Sequence, residues 1–259
     1  MNILVTNDDG FDNPGIWALV RAVKDLGDAT VVAPANNQSG VGTALSLRRS
    51  VHINSAPSKV DGVSCYAVGG TPADSVIIGI EHVLLGEVDL VVSGVNPGFN
   101  TSRNVFISGT MGAAIQAAGK GVTASAFSMG LGGDLEDPMA SKMITTVTTE
   151  LLSEETPTGS LFNVNFPDTA GSEYLGAEGA FPQPTEFMSK LEAHSDGGYE
   201  IFSGLRINIL GDTPTPGSDI EVLSRKKVAI SALDGMTMVH QPQNPTLGRI
   251  LASVNGVVG

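Results

Sequence analysis

The chain has 259 residues, 41% of them hydrophobic, which is enough to bury a substantial core in one large domain or two smaller ones. Its 27 acidic residues outnumber 14 basic ones and leave a formal net charge of −13, which disfavours binding to DNA or RNA, because that affinity depends on Lys and Arg contacts with phosphates. The single Cys65 excludes an intrachain disulfide and, since neither a secretory signal nor a membrane-length apolar run is seen, we expect a soluble cytoplasmic protein.

The first predicted unit is a strand, a helix and a second strand. Residues 3–6 form a short apolar run that is typical of a buried strand. Asn13 as N-cap and Pro14 at the first helical position predict the start of a helix, and Gly27 predicts its end. Residues 30–33 predict the second strand. Because such crossovers are right-handed in nearly all known cases, the two strands should be parallel.

The same alternation recurs as far as residue 167. Helices with apolar residues at helical spacing follow the starting signals Thr71, Ser108 and Asp137, the first and last of which precede a proline. Buried strands are predicted between and after these helices. This order indicates an α/β fold with an open, largely parallel sheet covered on both faces. The predicted strands occupy residues 88–92, 122–129 and 161–166.

The sequence changes character after Pro167. It becomes rich in Gly, Pro, Ser and Thr, its helical periodicity is weak, and short strand-like runs occur at residues 206–210 and 227–231. We therefore expect one domain over residues 1–259, made of a core at 1–167 and a C-terminal extension at 168–259. Hairpins and arms in the extension would pack on the sheet or on a partner subunit.

Short oxygen-bearing side chains follow three of the predicted strands. Asp8 and Asp9 follow the first strand, Ser39 lies after the second, and Asn96 follows the strand at 88–92. Ligands of open parallel sheets bind outside the carboxyl ends of the strands, where these loops meet. An all-oxygen set suits a hard cation such as Mg²⁺ or Mn²⁺ and suits Zn²⁺ poorly. Taken alone, the Asp pair is explained about as well by a solvated Asn-Asp-Gly turn.

A candidate phosphate site lies at the start of the helix predicted near residue 108. Ser108, Gly109 and Thr110 lie where N–H groups are unpaired and the helix dipole is positive, although plain capping by Ser108 and Thr110 is the alternative. Asn163 and Asn165 share one face of a strand and either face the cleft or are buried amides bonded to neighbouring loops. With a metal nearby, these groups predict phosphoester hydrolysis in which Asp8 or Asp9 orients or deprotonates the attacking water.

Several ordered motifs resemble those of one family, the SurE survival protein family of metal-dependent 5′/3′-nucleotidases. Each motif is weak alone, but their number and order over residues 1–167 are specific. The matching segments are VTNDDG at 5–10, APANNQSGVG at 33–42, GTPADSV at 70–76, SGVNPGFN at 93–100, SGTMGAA at 108–114 and NVNFP at 163–167.

The resemblance implies a Rossmann-like three-layer core, one divalent metal per subunit and hydrolysis of nucleoside monophosphates to nucleoside and phosphate. It also implies homodimers or homotetramers that exchange C-terminal arms. The negative charge and the lack of a membrane-length apolar run lead us to expect no binding to nucleic acid polymers or membranes. Carried over by position, the metal ligands would be Asp8, Asp9, Ser39 and Asn96, and phosphate would be bound by Ser108, Gly109 and Thr110 together with Asn96.

The chain also departs from the family pattern. Phe106 stands where relatives usually carry Tyr, Ser75 replaces a common Cys, and residues 168–205 lack an expected Thr-Arg strand segment. Two other functions are therefore kept as alternatives. One is a non-catalytic sensor that binds metal and nucleotide, and the other is a metal phosphatase acting on another small phosphate ester or on short polyphosphate.

Overall fold

The computed structural model describes residues 1–169, 171–184, 189–203 and 214–258. Eleven strands and six α-helices are found in these ranges. The strands are β1 (Asn2–Thr6), β2 (Asp28–Pro34), β3 (Ile53–Ser55), β4 (Ser64–Val68), β5 (Leu90–Pro97), β6 (Thr123–Met129), β7 (Leu161–Phe166), β8 (Ala177–Gly179), β9 (Ser189–Ala193), β10 (Tyr199–Ser203) and β11 (Val228–Leu233). The helices are α1 (Pro14–Val23), α2 (Pro72–Ile78), α3 (Gly109–Gly119), α4 (Pro138–Leu151), α5 (Asp219–Ser224) and α6 (Pro245–Val258).

Nine strands form one sheet in the order β3-β4-β2-β1-β5-β6-β7-β11-β8. Six of its eight neighbouring pairs are parallel, and only β3 with β4 and β7 with β11 run antiparallel. The expected α/β fold with a largely parallel sheet is confirmed, including the parallel pair formed by β1 and β2. The sequence pattern did not indicate β3 and β4, because both strands are short and only partly buried.

Two apolar layers cover the sheet. One is built on α1, α4 and α6, with Trp17, Met143 and Ile250 among its buried side chains. The other is built on α2 and α3, with Val76 and Met111 among its buried side chains. Successive residues of β1 alternate between the two layers, as the period of a strand requires. The structure is therefore the three-layer α/β/α arrangement implied by the family resemblance.

The predicted helix starts are confirmed by their capping bonds. The Asn13 side chain accepts a hydrogen bond from the Gly15 amide at 2.8 Å, and Thr71 forms a reciprocal capping box with Asp74. The Ser108 hydroxyl accepts from the Met111 amide at 3.1 Å. Each cap satisfies amides that the helix itself leaves unpaired, so local chemistry determines where α1, α2 and α3 begin.

The chain after residue 167 contributes to the main sheet. The strand-like run at 227–231 corresponds to β11, which pairs with β7, whereas the run at 206–210 lies outside the described residues. Helix α6 was not expected, although Leu247, Ile250 and Val254 are buried at helical spacing. Its two glycines and Asn255 weaken helix propensity, so packing on α4 stabilises it.

Strands β9 and β10 form a separate antiparallel hairpin. Leu191 and Tyr199 on this hairpin are exposed. Within the described ranges, none of the helices combines the length and apolar character that a membrane span requires.

Gly15→Ala tests how tightly α1 packs against the end of β5. A Cβ at Gly15 would lie 2.1 Å from the Val95 carbonyl oxygen, and backbone cannot move aside cheaply. We expect a loss of about 3 kcal/mol in the free energy of unfolding, measured by urea denaturation. Gly248→Ala is the matched control, because a Cβ there meets nothing within 4 Å and should stabilise α6 by about 0.5–1 kcal/mol. Equal effects of the two substitutions would contradict this packing.

Candidate active site

Asp8 is a buried carboxylate joined to the start of α3. One of its oxygens, Oδ1, accepts a hydrogen bond from the Thr110 hydroxyl at 2.6 Å, and the other accepts from the Gly109 amide at 3.1 Å. Burial raises the pKa of Asp8, and these hydrogen bonds oppose that effect. The first turn of α3 thus fixes the orientation of the Asp8 side chain, which follows β1 about a hundred residues earlier in the sequence.

Gly109 allows this contact because it lacks a side chain. A Cβ at this position would lie 2.6 Å from the Asp8 Cβ, 3.0 Å from its Oδ2 and 3.1 Å from the Pro72 Cγ. A larger residue would therefore displace the Asp8 carboxylate or the start of α2. The residues Ser108, Gly109 and Thr110, predicted to hold phosphate, lie directly beside the first of the predicted metal ligands.

Asp9 lies next to Asp8 without comparable support. Its Oδ2 is buried, and no hydrogen-bond partner for this atom is found among the described residues. Burial, followed by the negative charge of Asp8, raises the pKa of Asp9 to about 7. A cation or a proton must therefore compensate this oxygen, and a hard divalent cation fits both its charge and its oxygen chemistry.

The loop after β2 is attached to the Asp pair through the backbone. The Gln38 amide donates to the Asp8 carbonyl oxygen at 2.6 Å, and the Phe11 amide donates to the Pro34 carbonyl oxygen at 2.9 Å. Ser39 follows Gln38 directly, its side chain is exposed, and its amide donates to the Asn37 side chain. The fold therefore brings the loop that contains Ser39 to Asp8, and Ser39 itself is exposed to solvent.

Asn96 lies at the same edge of the sheet. Strands β1 and β5 are parallel neighbours, and Thr6 pairs with Ser93. Asp9 lies three residues after Thr6, and Asn96 lies three residues after Ser93, so both follow the same end of this strand pair. The Asn96 side-chain amide donates to the Gly98 carbonyl oxygen at 2.7 Å, which leaves its Oδ1 as an acceptor. Because Asn96 is only half-buried, this oxygen can contribute to a cation site shared with the Asp pair.

Asn100 holds the loop of Asn96 in place, and the sequence patterns did not single it out. Its amide donates to the Asn165 side chain at 2.8 Å, and its side chain donates to the Ser128 hydroxyl at 2.8 Å. The Asn163 side chain in turn donates to the Asn100 carbonyl oxygen at 2.8 Å. Of the two interpretations of Asn163 and Asn165, the structure favours buried amides bonded to a neighbouring loop. Asn100 could have been found as the second asparagine of the segment SGVNPGFN.

The chemistry of the site rests on oxygen atoms. Among the residues that the structure describes, no three His, Cys, Asp or Glu side chains come together as a candidate metal site. The candidate donors are instead two carboxylates with an amide and a hydroxyl oxygen. The Asp9 Oδ2, Asn7 Oδ1, Thr6 Oγ1 and Ser93 Oγ atoms are buried without a hydrogen-bond partner in the described ranges, and all belong to this edge of β1 and β5.

The fold and the site together define an α/β protein with an acidic, oxygen-rich candidate metal site at the carboxyl edge of a parallel sheet. The chain belongs to the SurE family, since the family model described as survival protein SurE matches residues 3–184. The resemblance carried by the sequence motifs is thereby confirmed.

Similar proteins cover nearly all of the chain. A protein of Dehalococcoides mccartyi (strain 195) named 5′-nucleotidase SurE is 37% identical over an alignment of 264 positions, gaps included. The alignment covers 99% of this chain and 98% of that protein. Another of the same name, from Azorhizobium caulinodans, is 34% identical over 96% of this chain and 97% of its own length. The crystal structure of a SurE protein from Aquifex aeolicus superposes with a TM-score of 0.75 at 28% identity, covering 92% of this chain and 94% of that one.

The raised pKa of Asp9 predicts how pH affects the metal-free protein. A folded pKa of about 7 lies above the unfolded value of about 3.9, so the folded state binds the extra proton between these values. The contribution of Asp9 to the free energy of unfolding should therefore fall as pH rises from about 4 to about 7 and stay constant above that. Relative to wild type, Asp9→Asn should become more stable over this window.

Urea denaturation in EDTA at several pH values measures this difference. Asp25→Asn is the control, because the Asp25 side chain is 84% exposed. The difference in the free energy of unfolding between Asp25→Asn and wild type should not rise between about pH 4 and about pH 7 as it does for Asp9→Asn. A difference between Asp9→Asn and wild type that does not depend on pH would contradict the assignment.

Proposed function

We propose that this chain is a divalent-metal-dependent phosphomonoesterase that hydrolyses nucleoside 5′- and 3′-monophosphates to nucleoside and phosphate. Membership of the SurE family and the name 5′-nucleotidase SurE of its relatives support this function. The observation that carries it is the Asp9 Oδ2, which has no hydrogen-bond partner within the described ranges and lies beside a second carboxylate held by the start of a helix. That arrangement joins a cation site to an anion site.

Asp8, Asp9, Ser39 and Asn96 would hold one Mg²⁺ or Mn²⁺ ion per subunit. When bound, a hard cation lowers the pKa of water and neutralises the negative charge that builds on phosphoryl oxygens. Both oxygens of Asp8 already accept hydrogen bonds, so Asp8 provides a ligand of fixed orientation. The Asp9 Oδ2 has no such partner among the described residues, and we assign to the Asp9 carboxylate, besides metal binding, the orientation and deprotonation of the attacking water.

The start of α3 would bind the phosphate group. The Ser108 hydroxyl accepts from the Met111 amide and keeps its own hydrogen to donate, and Ser108, Gly109 and Thr110 lie at the positive end of the helix dipole. The Gly109 amide and the Thr110 hydroxyl already donate to Asp8, and Asn96 provides a polar side chain from β5. These groups stabilise the equatorial oxygens as the ester bond breaks. They also explain how a chain with a net charge of −13 can hold an anion without a cluster of basic side chains.

A panel of nucleoside 5′- and 3′-monophosphates, assayed for phosphate release with Mg²⁺ or Mn²⁺, tests this function. Wild type should release phosphate only with metal, and Asp9→Asn should lower kcat by about 100-fold or more, because it removes a ligand and the proton acceptor together. Asp25→Asn, which changes the net charge equally at an exposed position, should retain wild-type kcat.

Other outcomes would identify the alternatives. Equal phosphate release by wild type and Asp9→Asn would contradict the proposed mechanism. Metal-dependent nucleotide binding without turnover would favour a sensor. Higher kcat/KM for another phosphate ester or for short polyphosphate would favour a different metal phosphatase.

We also propose that residues 1–259 act as one domain in a cytoplasmic homodimer or homotetramer. The core at 1–167 contains every proposed ligand, and the extension at 168–259 contains the exposed hairpin of β9 and β10, which suits contact with another subunit. The free and buried Cys65 suits a reducing compartment.

Light scattering distinguishes a homodimer or homotetramer from a monomer of 26.6 kDa, and finding only the monomer would contradict the proposed assembly.

A further inference from the structure

A cleft of about 390 Å³ lies beside the proposed phosphate site. One wall is the short 3₁₀ helix Ser102–Phe106, which leads into α3. The other wall is formed by residues 181–184, and Met238 and His240 from the chain after β11 also line it. The cleft therefore lies between the core and the C-terminal extension, and none of its residues belongs to the proposed metal or phosphate ligands.

The connection to α3 places this cleft within reach of a bound phosphate. Phe106 precedes Ser108 by two residues, so their Cα atoms are at most ~7 Å apart. The Ser108 amide donates to the Asn104 carbonyl oxygen at 3.0 Å, which fixes the 3₁₀ helix against the start of α3. A substrate whose phosphate lies at the start of α3 can thus extend its remaining part into the cleft.

The walls of the cleft match a flat, aromatic ligand with polar edges. The Phe106 side chain is 60% exposed, which leaves its ring face accessible, and Phe181 lines the other wall. Arg103 and His240 provide polar groups beside these rings. The cleft also has the size and the mixed lining of typical small-molecule sites. Nucleobases are ligands of this kind and stack on aromatic side chains.

His240 is suited to meet a hydrogen-bond donor of such a ligand. Its Nδ1 lies 3.1 Å from the Ala232 carbonyl oxygen and must therefore donate the hydrogen of that bond. Burial lowers the pKa of His240, so the ring is neutral near pH 7 and its Nε2 is an acceptor. An exocyclic amine of a base or a ribose hydroxyl can donate to this nitrogen.

A buried carboxylate joins the two walls. The Asp219 Oδ2 accepts a hydrogen bond from the Ser102 amide at 2.7 Å, and its Oδ1 accepts from the Gln183 amide at 3.1 Å. Asp219 is 1% exposed, and Ser102 and Gln183 both line the cleft, one from the core and one from the C-terminal extension. This side chain, at the start of α5, therefore ties the two lining segments together.

We propose that the cleft binds the nucleoside part of the substrate, that Phe106 stacks on the base, and that Asp219 is a positioning residue which fixes the two walls relative to each other. This inference rests on the proposed function, since it names the part of a nucleoside monophosphate that the cleft receives. It also gives the C-terminal extension a role in substrate binding.

Calorimetric titration with adenosine, guanosine, cytidine and uridine in EDTA tests the cleft without metal or turnover. At least one nucleoside should bind wild type, and Phe106→Ala should weaken that binding by about tenfold, because a stacking face is lost. Phe106→Tyr should restore it. Leu85→Ala removes another exposed apolar side chain, outside the cleft, and should have no effect. Failure of all four nucleosides to bind, or unchanged binding by Phe106→Ala, would overturn the proposal.

Steady-state kinetics test Asp219 separately. In Asp219→Asn an amide nitrogen replaces one of the two carboxylate oxygens that accept hydrogen bonds. We therefore expect the KM for nucleoside monophosphates to rise about tenfold, while kcat and the inhibition constant for inorganic phosphate stay within about twofold of wild type. Loss of kcat with unchanged KM would overturn its role. If nucleosides bind as expected but no nucleotide is hydrolysed, the cleft stands and the proposed function fails. If nucleotides are hydrolysed but Phe106→Ala has unchanged KM and nucleoside binding, the cleft fails and the function stands.

Discussion

The candidate site depends on the repulsion between two adjacent carboxylates at the end of β1. Two unit charges ~4 Å apart repel by about 1 kcal/mol in water and by more where water is excluded. The protein supports only one member of the pair, because the start of α3 donates to both oxygens of Asp8 and leaves the Asp9 Oδ2 without a partner in the described residues. We propose that this oxygen is balanced by a positive charge at the site.

The same contact links cation binding to anion binding. Gly109 brings the first turn of α3 against Asp8, so the residues proposed to bind phosphate lie beside the carboxylates proposed to bind metal. The 3₁₀ helix that leads into α3 continues from this point to the cleft, and Asp219 joins that helix to the C-terminal extension. Residues 96–110 would therefore contribute to the binding of metal, phosphate and nucleoside, while Asp8, Asp9 and Ser39 complete the proposed metal site from other segments.

Local chemistry made much of the core predictable from the sequence. Asn13, Thr71 and Ser108 are caps whose bonding partners lie two or three residues away, and the polar loops follow their strands directly. The roles of Asn100 and Asp219 could not be predicted, because their partners lie 65 and 117 residues away in the chain and only the folded topology brings them together. Helix α6 was missed for a related reason, since packing on α4 offsets its weak intrinsic propensity.

Direct titration of Mn²⁺ into the metal-free protein tests the central claim that Asp8 and Asp9 hold one hard cation. Above a pH of about 7, where Asp9 is ionised, calorimetry should give about one Mn²⁺ per wild-type chain and no saturable binding at this site in Asp9→Asn. Equal stoichiometry and affinity in the two proteins would show that the Asp pair is not a metal site.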